Sequence, residues 1–294
     1  VSRGTTYAPS AALWYNRLVA SGLRKKMGIR QKAGIAMAVV LAIVNQKGGV
    51  GKTTTSVNLA AILAETGKRV LLVDVDPQGN TTSGLGFDKK SLDRTTYDAL
   101  INDMPIQDII RESGRPYLSL CPANIQLAGA ELELDRARDR EMTLKFAIRP
   151  VLDRYDFILM DCPPSLGLLT LSALVAAQEV IVPIQGEYYA LEGLTQLMET
   201  INLVKRRLNP DLGIFGVVIT MYDARTQLSA QVSDEVRRYF GDKVFRTVIP
   251  RNVRLSEAPS FGKSIQEYDP RSRGAESYQS LAREVIRRAE GSGT

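Results

Sequence analysis

The segment Gln46-Lys47-Gly48-Gly49-Val50-Gly51-Lys52-Thr53-Thr54 restricts the folds open to this chain more than any other stretch. It follows a short, unbroken apolar run from Ala38 to Val44. It precedes apolar residues near helical spacing (Val57, Leu59, Ala60, Ile62, Leu63) that end at Gly67. A strand buried on both faces, feeding a glycine turn that opens a helix, aims backbone N–H groups at an anion. The glycines let those groups close around phosphates, Lys52 reaches the β and γ oxygens, and Thr53 offers a hydroxyl to Mg²⁺. The strict pattern wants glycine where this chain has Gln46, so the loop is a variant. Lys47 is an extra cation at the rim, with little to bind in its own loop. Crossing a dimer interface to touch a second subunit's nucleotide is a natural use for it. One loop thus points both to nucleotide binding and to nucleotide-dependent pairing.

Composition narrows the chemistry. There is no histidine, which removes imidazole general bases and Ser-His triads. Cys121 and Cys162 make no disulfide framework, so a reducing cytoplasm is the expected setting. No apolar run approaches the roughly 18 residues that span a bilayer. The net charge of +6 divides unevenly: residues 1–36 carry seven basic side chains and no acid, residues 37–200 are acidic, and residues 201–294 hold 16 basic against 11 acidic residues. That asymmetry permits a polyanion partner. Residues 1–36 lack strand and helix periods. We expect them to be a disordered or mis-assigned extension, with a transit peptide or a basic polyanion-binding arm as alternatives.

From Met37 the patterns alternate. Strands are expected over Arg69–Val75, Tyr117–Leu120, Phe157–Asp161, Val180–Ile184, Gly213–Thr220 and Lys243–Val248. Helices are expected over Tyr97–Ile110, Thr143–Leu152, Leu168–Ala177, Ala190–Leu208, Ala230–Phe240 and Gly274–Ala289. This alternation specifies one α/β domain over residues 37–294: a mostly parallel, twisted sheet with helices on both faces. With the phosphate loop after its first strand, the expected fold is a single P-loop NTPase domain.

Ligands of such sheets sit beyond the carboxyl ends of the strands, and four polar clusters fall there. They are the loop itself, Asp74-Val-Asp76-Pro77-Gln78-Gly79-Asn80, Asp161-Cys-Pro-Pro-Ser165, and Pro250-Arg251-Asn252. Two carboxylates at alternate positions, Asp74 and Asp76, can serve Mg²⁺ and an attacking water separately. Asp161 ends an apolar strand and fits an acid near the metal. Taken alone, each acid reads equally as a turn residue or a helix cap, and Pro250-Arg251-Asn252 reads as a turn.

Lys47-Gly-Gly-Val-Gly-Lys-Thr-Thr54 together with Val73-Asp-Val-Asp-Pro-Gln-Gly-Asn80 resembles the deviant Walker A ATPases of the ParA/Soj branch, which partition chromosomes and plasmids. Asp161-Cys-Pro-Pro-Ser-Leu-Gly167, Glu187-Tyr-Tyr-Ala-Leu-Glu-Gly193, Thr220-Met-Tyr-Asp-Ala-Arg225 and Val248-Ile-Pro-Arg-Asn-Val-Arg-Leu-Ser-Glu-Ala-Pro-Ser260 extend the likeness to the whole chain after Met37. The resemblance implies ATP and Mg²⁺ as cofactors and a catalytic set of Lys47, Lys52 and Asp76. Lys47 matches the signature lysine that enters the partner's site in an ATP-dependent sandwich homodimer. Gly48, Gly49, Val50, Gly51, Lys52, Thr53 and Thr54 match the phosphate cradle. Asp76 matches the acid that positions water, Thr53 the metal ligand, and Asp74 and Asp161 the acids around the metal. Pro250 and Asn252 match adenine contacts, and Arg225 and Arg254 match arginines that bind DNA.

A slow, Mg²⁺-dependent ATPase follows as the expectation. Its ATP dimer grips double-stranded DNA without sequence preference, and a ParB-type centromere-binding partner stimulates the hydrolysis that releases it. Its place is the nucleoid within the cytoplasm, not a membrane. A MinD-like membrane ATPase shares the loop but ends in an amphipathic membrane helix, whereas Ser280–Glu290 reads as a packing helix. An iron-protein-like ATPase would hold a cluster between subunits through its two cysteines. A plasmid-type ParA with an N-terminal DNA-reading domain needs more chain than residues 1–36 provide.

Overall fold

The computed structural model of the protein describes residues 37–134, 139–186 and 190–291; the extension expected over 1–36 lies outside them, as do Glu187 to Tyr189. Eight strands form one sheet: β1 (Val39–Ile43), β2 (Val70–Asp74), β3 (Arg111–Glu112), β4 (Leu118–Cys121), β5 (Phe157–Asp161), β6 (Glu179–Gln185), β7 (Gly213–Tyr222) and β8 (Val244–Pro250). Their order is β3-β4-β2-β5-β1-β6-β7-β8. All neighbours run parallel except the short edge pair β3 and β4. From β1 the chain crosses past β5 to build β2, and from β5 it crosses the other way past β1 to build β6, β7 and β8. The carboxyl end of β1 is therefore the crevice where an open sheet takes its ligand.

Among the described residues, five helices have nine residues or more: α1 (Lys52–Glu65), α2 (Leu168–Ala176), α3 (Ala190–Arg207), α4 (Gln227–Phe240) and α5 (Arg273–Gly291). Strand side chains alternate between the two faces of the sheet. Leu41, Ile43, Leu72 and Leu159 pack with Leu59 and Leu63 of α1 and Tyr278, Leu281 and Val285 of α5. Val40, Ala42, Val73 and Met160 pack with Ala173 of α2, Leu197 of α3 and Val236 of α4. Both faces are covered, as the continuous apolar strands require. The apolar face of α5 is spent on β8 and α1, which agrees with its reading as a packing helix.

Several boundaries differ from expectation for identifiable reasons. The single helix expected over Tyr97–Ile110 is two, Thr96–Ile101 and Ile106–Ile109. Asp103 between them takes φ +50, and Pro105 lacks the N–H that would continue the ladder. The helix expected over Thr143–Leu152 is α-helical only to Ile148 and tightens to a 3₁₀ turn at Arg149–Val151, around Pro150. Helix α4 starts at Gln227 rather than Ala230, because the Thr226 hydroxyl accepts the Ser229 N–H as an N-cap. β3, Asn80–Gly84, Val253–Glu257 and Ile265–Tyr268 are too short to show a period in the sequence.

Candidate nucleotide-binding site

The register of the three central strands sets the site. Ile43 of β1 and Asp74 of β2 both pair with Asp161 of β5, so the loops after all three leave the sheet at one level. After β1, the Asn45 side chain bridges two elements: its Nδ2 donates to the Pro183 carbonyl of β6 at 2.7 Å, and its Oδ1 accepts the Lys47 N–H at 3.0 Å. Gly49 (φ +74) and Gly51 (φ +86) occupy the left-handed region, where a side chain would be strained. On the far flank, Thr220 of β7 donates its hydroxyl to the Val50 carbonyl at 2.8 Å. The loop is thus tied to two successive strands on the same side of β1, β6 and β7.

Lys52 opens α1 and folds back over the loop, where its Nζ donates to the Lys47 carbonyl at 3.0 Å. The side chain is buried. Burial lowers its pKa, and the nearby Asp161 and Asp76 carboxylates oppose that shift. Lys47 stands half-buried at the rim. A buried ammonium bonded to a backbone carbonyl, with open space where Cβ atoms of Gly48 and Gly49 would stand, suits a phosphate cradle.

Three acids face this loop, and the chain treats them differently. Asp161 is fully buried and accepts three hydroxyls: Thr53 and Thr81 on Oδ2 at 2.8 and 2.7 Å, and Ser56 on Oδ1 at 2.8 Å. Burial raises its pKa, and those hydroxyls hold it back. Asp74, also fully buried, accepts the Thr82 N–H at 2.9 Å and the Thr82 hydroxyl at 2.7 Å on Oδ2, and the Asp76 N–H at 3.2 Å on Oδ1. Burial, then the charge of Asp161, pushes Asp74 up to about 7. Asp76 accepts only the Gln78 N–H, on Oδ1 at 2.9 Å. Among the described residues its Oδ2 has no partner. Gly79 closes this turn at φ +61, and a Cβ there would stand 2.6 Å from the Ala123 carbonyl oxygen.

The structure therefore brings Lys47, Lys52, Thr53, Asp76 and Asp161 together. Asp74 stands beside them, but with both oxygens engaged it serves the turn that carries Asp76. No group of three or more carboxylates and thiols placed to hold an ion occurs among the described residues. Mg²⁺, which keeps waters and phosphate oxygens and takes few protein ligands, fits the Thr53 hydroxyl that Asp161 holds at the start of α1. Pro250 ends β8 on the same rim, three strands from β1, in register with Tyr222. Asn252 caps Val253–Glu257, its Oδ1 accepting the Arg254 N–H at 2.9 Å.

Arg225 and Arg254 lie on this rim too, and both are paired with acids of their own chain. Arg225 forms a two-point pair with Asp223 at 2.9 and 2.7 Å. Arg254 donates to Glu257 at 2.9 Å and lies 3.6 Å from Asp269. Both guanidinium groups remain largely exposed. Cys121 and Cys162 are fully buried within the domain, and burial pushes the Cys121 thiol up to about 12. Neither is placed to hold a cluster between subunits.

Sequence reasoning missed Asn45, Ser56, Thr81, Thr82 and Thr220. Thr220 carried one signal, a hydroxyl in an otherwise apolar buried stretch of strand. The others become meaningful only when three loops meet.

The family described as an AAA domain matches residues 38–214. A curated relative, the sporulation initiation inhibitor protein Soj of Bacillus subtilis, is 61% identical over 249 residues, covering 85% of this chain and 98% of that protein. The chromosome partitioning protein ParA of Myxococcus xanthus is 55% identical, covering 85% and 88%. Among solved structures, cobyrinic acid a,c-diamide synthase from Mycobacterium smegmatis with bound ADP and magnesium superposes with a TM-score of 0.77 at 39% identity, over 87% of this chain and 97% of that one.

Proposed function

The chain belongs to the Soj/ParA family of the MinD/ParA superfamily, and from that membership we propose that it is a slow, Mg²⁺-dependent ATPase of chromosome or plasmid partitioning. In this reading ATP draws two copies into a sandwich dimer that holds DNA. One observation carries the catalytic part: of three acids at the loop, only Asp76 keeps a carboxylate oxygen unengaged by the protein. An acid in that state can orient a water and take its proton. Bound Mg²⁺ supplies neutralisation of charge on the phosphate oxygens. Asp161 holds the Thr53 hydroxyl where it would meet that ion, and Lys52, its ammonium held over the loop by the Lys47 carbonyl, would meet the phosphates. Cations fixed beforehand act on charge spread over the γ-phosphoryl oxygens without reorganising.

Lys47 is assigned to the partner's nucleotide, Pro250 and Asn252 to the adenine base, and Arg225 and Arg254 to DNA phosphates. A ParB-type protein is the expected stimulator, and the nucleoid the expected location. The test of the paired site is Lys47→Ala. One-chain ATP binding should stay within a few-fold of the parent, while dimers formed with a non-hydrolysable ATP analogue disappear from light scattering. A Lys47→Ala protein that still dimerises with the analogue would refute the cross-subunit role.

A further inference from the structure

At the amino end of β8, on the rim opposite the phosphate loop, a cleft of about 510 Å³ opens between the end of α4 and the last turns of α5. Arg237, Val244, Arg246, Glu284, Arg287 and Arg288 are among its lining residues. Two of these charges belong to the framework. Arg288 donates to the carbonyls of Phe215 at 2.8 Å, Lys243 at 2.9 Å, Asp242 at 3.1 Å and Val244 at 3.2 Å, and lies 4.1 Å from the centre of the Phe245 ring. Glu284 accepts the N–H groups of Arg246 at 2.9 Å and Thr247 at 2.8 Å. These bonds fix the walls.

What they leave over is cationic. The guanidinium groups of Arg237 and Arg246 make no hydrogen bond or ion pair among the described residues. Arg287 has only a long 3.4 Å contact from Nε to a carbonyl of its own helix. Three guanidinium groups on a rigid frame thus face one cleft against a single unengaged carboxylate, Asp242. Such forks match phosphate oxygens two at a time. The volume falls in the range of small-molecule sites. A duplex, convex and far wider than this cleft, would touch only its lip.

We propose that this cleft binds a small, multiply charged phosphate compound of the di- or triphosphate class, independently of the phosphate loop. Calorimetry with inorganic tripolyphosphate tests it. The parent protein should take two equivalents, one at each site. Arg237→Ala/Arg246→Ala should weaken one of them at least tenfold and leave loop affinity for ADP unchanged, whereas Lys52→Ala should lose the other. Arg149→Ala/Arg154→Ala, which removes the same charge from exposed positions elsewhere, should keep both. One equivalent in the parent, two in Arg237→Ala/Arg246→Ala, or equal losses in the control pair would each overturn the proposal. Loss of DNA binding in Arg237→Ala/Arg246→Ala with tripolyphosphate binding intact would make the cleft a duplex contact, and the proposal would fall.

Discussion

Replacing Thr220 by valine removes one hydroxyl and almost no volume, yet it should loosen the phosphate loop from the sheet. Thr220 and Val50 are both nearly fully buried, and the hydroxyl reaches the Val50 carbonyl at 2.8 Å. Leaving a buried carbonyl without its donor costs about 1–3 kcal/mol. The new methyl also cannot sit where the hydroxyl sat, because carbon to carbonyl oxygen contacts settle near about 3.3–3.6 Å, so the loop must give by roughly half an ångström or more. If the cost falls on the loop, nucleotide affinity drops about 5- to 150-fold, at about 1.4 kcal/mol per tenfold. If it falls on the whole domain, Tm drops by about 2–4 °C for each kcal/mol. Fluorescent-nucleotide titration and thermal melts of Thr220→Val measure the two shares. Thr220→Ser, which keeps the donor, should recover most of both. A valine variant with parental affinity and parental Tm would refute the argument that β7 anchors the loop.

Three further outcomes follow from the same geometry. Gly79→Ala should lose hydrolysis in a phosphate-release assay by more than it loses ATP binding. Its Cβ meets the Ala123 carbonyl while φ stays left-handed, which displaces the turn bearing Asp76 at a cost of at least about 1–2 kcal/mol. Asp74, held near 7 against an unfolded value near 4, contributes stability that is complete below about pH 4 and lost as pH rises through about 7, on the order of 4 kcal/mol. Asp74→Asn should flatten the urea-midpoint profile between pH 4 and 7, whatever its offset at one pH; parallel profiles would dismiss this. Arg225→Ala/Arg254→Ala should reduce the slope of log affinity against log salt for DNA by about two, the share of two phosphate contacts, and an unchanged slope would clear this surface.

How much was legible follows from how local each feature is. The loop announces itself because glycine, lysine and threonine spacing within nine residues fixes both backbone and chemistry. The acids at strand ends were legible because a buried parallel strand reads as an unbroken apolar run, and Asp74 and Asp161 end two of them. Their division of labour was not, since it depends on Thr81 and Ser56 reaching Asp161 across 80 or more residues of chain while Thr82, next to Thr81, turns to Asp74. The acid partners of the two arginines sit at different distances from discovery. Asp223, two residues before Arg225, was open to view as a turn acid. Glu257 pairs with Arg254 through a five-residue helix too short to leave a period. The break at Asp103 was half visible: Pro105 forbids the ladder, but only the fold requires the positive φ beside it.

The three acids also explain why the site is built to receive an ion rather than to store one. Asp161 is approached only by hydroxyls, from α1 and from Asn80–Gly84, and by the Lys52 field; these neutralise it without closing it in backbone. Asp74 is approached by two backbone N–H groups, which cannot turn away, and by Thr82, whose oxygen also accepts the Ala123 N–H at 2.9 Å. That bond joins the loop after β2 to the loop after β4. Asp74 thus acts as a weld and Asp161 as a holder of hydroxyls, and buried carboxylates so employed have little left to offer a cation. Positive charge already present, on Lys52, needs an anion more than another ligand set. The remaining acid, Asp76, lends its N–H to Asp74 but keeps its own carboxylate outside both networks, on a turn that Gly79 closes. Its free oxygen is therefore held in position by the fold while being spared by it, the condition under which a carboxylate can work on a water molecule.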